Sequence, residues 1–260
     1  MTILDHIIAN KYKEVALKKE AFPISILEKS PHFNGTKNSL AKVLRKSAIG
    51  IIAEHKRRSP SKSIINEKVL VQDVAIGYEK AGVSGMSVLT DTNYFGGSLD
   101  DLLMAREVST FPLLRKEFII DPYQIYEAKA YGADAILLIA ASLTLTELKE
   151  FSTLAKGLDL DVLLEVHNRK ELEKSLLPTV DMLGVNNRNL KTFEVSVDAS
   201  KNLSRFIPPE FVRVSESGIS SVSTIKELRN YGFSGFLIGE NFMKTENPGK
   251  SAEEFINQLK

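Results

Sequence analysis

The sequence has no cysteine and no tryptophan. Disulfides, thiol nucleophiles and Cys-ligated zinc or iron–sulfur sites are therefore outside its chemistry. It has no long apolar run. The longest clean stretch, Ala135 to Ala141, falls far short of the ~20 residues of a membrane helix. The N-terminal MTILDHIIANKYKE is interrupted by Asp5 and His6 and lacks the apolar core and small-residue cleavage site of a secretory leader. Charge of one sign is also missing: 34 Lys+Arg stand against 33 Asp+Glu, a net charge of +1, with no global attraction for nucleic acid. Neither GxGxxG nor GxxxxGK(S/T) occurs, so the phosphate loops of doubly wound sheets are absent. These absences predict a cytoplasmic protein whose partner is neither membrane nor nucleic acid.

What is present is an ordinary globular composition, 43% hydrophobic and 26% charged over 260 residues. A chain of this length can bury roughly three quarters of its unfolded surface. Three segments share a pattern: AGVSGMSVLTD from Ala81, YGADAILLIAA from Tyr131 and YGFSGFLIGE from Tyr231. In each, a Gly follows a helix-like stretch and precedes an apolar run. The Gly reads as a left-handed helix cap and the run as a buried parallel strand. Gly82, Gly132 and Gly232 lie 50 and 100 residues apart, multiples of a ~25-residue strand–helix unit.

Other apolar runs fill the intervals. Strands are predicted at Ile49–Ala53, Met86–Leu89, Pro112–Arg115, Ile136–Ile139, Val162–Leu164, Met182–Val185, Val212–Val214 and Phe236–Ile238. Helix-like segments separate them, including Leu145–Lys156, Lys170–Leu176, Val197–Phe206 and Ala252–Leu259. Eight strands alternating with helices predict an α/β fold, a single (β/α)8 TIM barrel, over residues 49–260. An open doubly wound sheet is the alternative, disfavoured by the missing glycine loop. Residues 1–48 hold a polar helix candidate, Ile3–Lys19, then a loop with Pro23, Pro31 and Gly35. They read as an N-terminal helical extension that caps the barrel or helps build its mouth.

In such a barrel the chemistry sits at the C-terminal ends of the strands. The first strand runs into IIAEHKRRSPSKS, where Glu54 and Lys56 share a face with Ile52. They are either an acid–base pair in the mouth or a surface ion pair. The loop carries four cations, Lys56, Arg57, Arg58 and Lys62, solvated or recruiting an anionic substrate. Lys116 directly follows an apolar run, so it is either desolvated, with a lowered pKa, or snorkelling. Glu165 lies inside VLLEV and is paired or tuned as an acid/base. Asn186 and Arg188 end the sixth strand; Glu216, Ser217 and Gly218 the seventh; Gly239 and Glu240 the eighth. Glycines at the last two strand ends suit a phosphate site. The histidines, His6, His32, His55 and His167, have no metal-ligand spacing, and no metal or histidine base is predicted.

Taken together, IIAEHKRRSPSKS (51–63), SVLTDTNYFGGS (87–98), LLRKEFIIDPYQIYEAKAYGADAILLI (113–139), LLEV (163–166), GVNNRNL (184–190), SESGI (215–219) and LIGENFM (237–243) resemble indole-3-glycerol-phosphate synthase. The resemblance implies a TIM barrel with an N-terminal helical extension. It implies a carboxy-lyase of tryptophan biosynthesis that turns 1-(2-carboxyphenylamino)-1-deoxyribulose 5-phosphate into indole-3-glycerol phosphate, carbon dioxide and water. No cofactor or metal is implied, and a monomer is expected, with an oligomer left open. By resemblance, Lys116 is the general acid of ring closure and Glu165 steadies the cationic intermediate and takes part in proton transfer. Glu54 and Lys56 serve the later dehydration, with Glu54 and Glu165 both open as the final base. Asn186 orients these groups, and Glu216 and Ser217 are polar partners at strand seven. Substrate-binding residues are Ser59, Gly218, Gly239 and Glu240 at the phosphate, Arg188 at the carboxylate, and Phe95, Phe118 and Leu190 around the ring.

The match has small departures. Ser63 stands where the family often has Gly, and His55 where it often has an apolar or aromatic residue. A carboxylate at Glu240 suits a phosphate only if its N–H faces the ligand. Two rivals compete with this reading. Phosphoribosylanthranilate isomerase looks to a cysteine at its first strand, which this chain lacks. A barrel that has become a non-catalytic scaffold is disfavoured by the intact Lys116 and Glu165.

Overall fold

A computed structural model describes residues 2–35, 38–190 and 192–259. Eight parallel strands close into a barrel in chain order: β1 Gly50–His55, β2 Gly85–Leu89, β3 Leu113–Lys116, β4 Ala135–Ile139, β5 Asp161–Val166, β6 Met182–Asn186, β7 Val212–Glu216 and β8 Gly235–Ile238. β8 returns to β1 through Gly50↔Gly235 and Ala53↔Ile238. Ahead of β1 lie helices α1 Ile3–Ala21, α2 Ile24–Leu27 and α3 Leu40–Lys46. Between and after the strands come α4 Val71–Ala81, α5 Thr92–Phe95, α6 Leu99–Val108, α7 Tyr123–Ala130, α8 Leu145–Gly157, α9 Arg169–Ser175, α10 Asp198–Ser204, α11 Val222–Arg229, α12 Glu240–Met243 and α13 Pro248–Asn257. None of the described helices is long and apolar enough to cross a membrane.

The three repeated glycines do the same job. Gly82, Gly132 and Gly232 have φ of 79°, 82° and 82°, conformations costly for residues with a Cβ. Each lets the chain leave a helix (α4, α7 or α11) and turn at once into a strand. The residue after each donates back into the helix it leaves, as Ala133 N–H does to the Ala128 carbonyl at 3.0 Å.

Two apolar layers follow from the period-2 alternation of the strands. Ile51 and Ala53 face the helices, whereas Ile52, Leu114, Leu137, Leu163 and Leu237 fill the barrel interior. α3, which the sequence pattern does not reveal, joins that interior from below. Its Leu40 and Leu44 are fully buried there, each worth roughly 1.5–3 kcal/mol of hydrophobic transfer. Glycines at the lower ends of the strands make the room. A Cβ on Gly85 would lie 2.8 Å from Leu40, and one on Gly50 would collide with Leu44. α1 runs the other way, to the upper rim, and α2 packs against α7. α2 and α3 are too short, at four and seven residues, to show a helical period by themselves.

The strands run farther at their C-terminal ends than the apolar runs predict. β1 continues through Glu54 and His55, β3 through Lys116, β5 through Glu165 and Val166, and β7 through Ser215 and Glu216. The backbone ladder ignores side-chain charge: Glu54 pairs with Ser87, Lys116 with Leu89, Glu165 with Ile139 and Glu216 with Asn186. Charge is tolerated there because the interior at that level is lined with opposite charge.

Candidate active site

Those strand ends converge. Lys116 Nζ donates to Glu216 Oε2 at 2.5 Å and lies 3.8 Å from both Glu54 Oε2 and Glu165 Oε2. Lys56 Nζ donates to Glu54 Oε1 at 2.6 Å. Two lysines thus share three carboxylates contributed by β1, β5 and β7. Their side chains meet because alternate residues of a strand face the barrel axis and each of these sits at the top layer. His55, between Glu54 and Lys56, is buried on the opposite, helix-facing side.

Electrostatics overturns one expectation. Desolvation with a lowered pKa is one of the two readings that the sequence position of Lys116 allows. Burial does act in that direction, but Glu216, Glu54 and Glu165 outweigh it and push the ammonium pKa well above its usual value. The perturbed acid is Glu216. Burial and the charges of Glu165 and Glu54 raise its carboxyl to about 7, although Lys116 opposes them. Its Oε1 is buried without a hydrogen-bond partner. Burial alone would also raise Glu54, but Lys56 and Lys116 hold it below the usual carboxylate range.

Close backbone approach makes space for these carboxylates. A Cβ on Gly184 would collide with Glu216 Oε1, and one on Gly239 with Glu54 Oε1. Gly239 therefore does more than turn the chain at α12: it seats Glu54. Ser217 and Gly218 both take left-handed conformations, at φ 67° and 73°. Asn187 holds that turn, donating to the Ser217 carbonyl at 3.0 Å.

Above this cluster is a cavity of about 370 Å³. Glu54, Lys56, Lys116, Glu165, Asn186 and Ser217 line it, as do Ser59, Phe95, Phe118, Arg188, Leu190, Gly218, Gly239 and Glu240. Glu216 lies behind Lys116, outside the lining. Phe95 and Phe118 pack with ring centroids 6.0 Å apart on one wall. Asn186 Oδ1 accepts from the Arg188 backbone N–H at 3.0 Å. The Glu240 carboxylate is held by Lys62 at 2.8 Å.

The loop cations are less available than the sequence suggests. Arg57 forks onto Asp101 at 2.5 and 2.8 Å, Arg58 donates to the Thr92 carbonyl at 2.8 Å, and Lys62 is taken by Glu240. Three of the four loop cations thus staple loops together, and Lys56 alone among them lines the cavity.

Sequence reasoning missed two contributors. Ile3, Leu4 and Ile7 of α1 line the cavity; their i, i+1, i+4 spacing on a polar helix was the available signal. His167, read as having no role, stands with Nε2 3.4 Å from Glu165 Oε1. Nothing in the linear spacing points to that contact beyond their two-residue separation at the end of β5.

A closed barrel with a lysine–carboxylate cluster under an aromatic-walled mouth places the chain among (β/α)8-barrel enzymes of acid–base chemistry. Comparison with known proteins is more specific. The family model described as indole-3-glycerol phosphate synthase matches residues 4–255. The indole-3-glycerol phosphate synthase of Bacteroides thetaiotaomicron is 46% identical, covering 99% of this chain and 98% of its own. That of Thermoanaerobacter pseudethanolicus is 42% identical, covering 99% and 98%. A solved chain of the tryptophan synthase α2β2 complex of Pyrococcus furiosus superposes with a TM-score of 0.61 at 14% identity, over 82% of this chain and 98% of that one, a likeness of fold alone. The chain belongs to the indole-3-glycerol phosphate synthase family. Its activity is that of a carboxy-lyase of tryptophan biosynthesis acting on a phosphorylated substrate.

Proposed function

We propose that the mouth cavity binds 1-(2-carboxyphenylamino)-1-deoxyribulose 5-phosphate and that the lysine–carboxylate cluster closes its indole ring. The phosphate lies against the backbone of Gly218, Gly239 and Glu240, with Ser59 beside it, so the Glu240 side chain stays with Lys62. The aromatic ring stacks among Phe95, Phe118 and Leu190, and Arg188 meets the carboxylate.

In ring closure the ring carbon bearing the carboxylate attacks the ribulose carbonyl carbon. The carbonyl π pair moves onto oxygen, and Lys116 supplies the proton. The alkoxide formed is itself strongly basic, so a lysine of raised pKa is a competent donor and, while charged, stabilises the oxyanion. Glu216 keeps the ammonium aimed, and Asn186 and Ser217 fix its surroundings. Glu165 faces the cationic nitrogen-conjugated intermediate. Carbon dioxide leaves, and the electron pair of its C–C bond restores the aromatic ring. Dehydration follows: Lys56 protonates the departing hydroxyl while Glu54 or Glu165 removes a proton from the methylene carbon beside nitrogen. That C–H pair becomes the indole double bond as water leaves.

All these groups lie on one chain, which supports a monomer as the working unit. The observation that carries the reading is one lysine within 3.8 Å of three carboxylates at the floor of an aromatic-walled cavity. Following indole fluorescence on purified protein with EDTA present tests it. Product is expected without added metal, and no product would overturn the proposal. Lys116→Ala should bind substrate yet lose turnover by roughly 100-fold or more. Unchanged turnover would remove Lys116 from the mechanism.

A further inference from the structure

His167 follows β5 immediately, and its ring stands between two concavities. Glu165 lines the mouth cavity and His167 a neighbouring crevice, while Asn186, Arg188 and Leu190 border both. The ring is fixed from one side. Glu171 Oε2 accepts from the His167 backbone N–H at 2.8 Å and lies 3.2 Å from Nδ1. Asn168 Nδ2 holds the other Glu171 oxygen at 2.6 Å. A proton on Nδ1 is therefore engaged by Glu171, which turns Nε2 toward Glu165 Oε1 at 3.4 Å. Nε2 is buried and makes no hydrogen bond. A neutral Nε2 would set a lone pair against a carboxylate, an arrangement that becomes favourable only when a proton lies between them.

We propose that His167 is a positioning residue for Glu165, sharing the proton that Glu165 handles and connecting the barrel mouth with the adjacent crevice. Uptake by Glu165 then moves a proton from substrate carbon or nitrogen to Oε1. The Oε1–H proton passes to the neutral Nε2 and leaves the carboxylate ionised; the imidazolium formed then releases its proton to water in the crevice that His167 lines, which resets the pair for the next cycle. The groups facing His167 are acidic: Glu165 from β5, Glu171 from α9 and Glu216 from β7. Arg188, Asp5 and Asp198 line the same crevice, and Lys116 lies on the far side of Glu165. Burial alone would lower the imidazole pKa, but the bond to Glu171 and the charges of Glu165, Glu171 and Glu216 raise it above its usual value.

The inference rests on the role given to Glu165 above, so its test has a readout that needs no turnover. Histidine-ring NMR titration of the full chain resolves four imidazoles. The His167 midpoint is expected above that of a free histidine, falling by about one pH unit or more in Glu165→Gln and in Glu171→Gln. In steady-state kinetics, His167→Gln should displace the acidic limb of the kcat profile by about one pH unit, because the imidazole that shares the proton is gone from the site. It should also lower kcat about tenfold with KM nearly unchanged. An unmoved His167 midpoint in Glu165→Gln, or an unmoved acidic limb in His167→Gln, would overturn the proposal. If the midpoint shifts while wild-type protein makes no indole product, the proton-sharing pair stands and the catalytic reading fails instead.

Discussion

Glu216 is a carboxyl that the apo fold would be more stable without. Its pKa is raised from the ordinary 4.5 to about 7, chiefly by burial and then by Glu165 and Glu54. Such a shift corresponds to about 3 kcal/mol between the ionised and neutral forms. The direction follows from proton linkage: between pH 4.5 and 7 the folded state binds more protons than the unfolded chain. Stability therefore falls as pH rises through that window and stays reduced above it. Glutamine mimics the protonated acid, so Glu216→Gln should stabilise the apo protein by up to about 3 kcal/mol at pH 8.5 and leave it nearly unchanged at pH 4.5. For a chain of this size that is a rise in Tm of roughly 5–10 °C, read by scanning calorimetry at the two pH values. The same variant should lower kcat, because Lys116 loses its 2.5 Å partner. A stabilised, slower enzyme is what a site strained for function predicts. A Glu216→Gln protein that is no more stable at pH 8.5, or equally stabilised at both pH values, would refute the assignment of Glu216 as the costly carboxylate.

Three other outcomes follow from the packing. Gly239→Ala should drive a methyl into the Glu54 carboxylate and lower kcat by roughly 100-fold with the fold intact by circular dichroism, since small displacements at the reacting centre are expensive; near-normal turnover would show that Glu54 can move aside freely. Leu44→Ala, at the bottom of the barrel, should cost about 2–5 kcal/mol in urea unfolding while kcat at 25 °C stays close to wild type. Lys11 is 2% exposed and reaches Glu14, Asp91 and Glu117 at 2.8, 3.0 and 3.1 Å, so Lys11→Met should cost about 3–5 kcal/mol by stranding buried carboxylates. Because Asp91 also caps α5, which carries Phe95, KM should rise as well; a loss below about 1 kcal/mol would contradict the buried-charge argument.

Much of the site is legible residue by residue. Lys116 and Glu165 stand out because a charge embedded in an apolar run needs a partner, and Gly218 and Gly239 because both interrupt the chain just beyond a strand. The partners themselves are not legible. Lys116 and Glu216 are 100 residues apart, and the reversal of the lysine's expected pKa depends on which carboxylates surround it. The loop cations mislead for the same reason, since Asp101 and Glu240, the acids that engage Arg57 and Lys62, come from distant segments. His167 near Glu165 is similar: a separation of two residues at the end of β5 says nothing of a ring turned by Glu171.

The linear pattern by itself determined the repeating strand–helix unit, the eight-fold count and the absence of thiol chemistry, because periodicity, cap glycines and composition are local properties. It also marked strand ends as the place where polar residues interrupt apolar runs. Only the closed barrel decided which charges meet, that α3 plugs one end while α1 borders the other, and that Glu216 carries the raised pKa. Burial and Coulomb interaction depend on distance in space, and closing β8 onto β1 is what brings β1, β3, β5 and β7 to one floor.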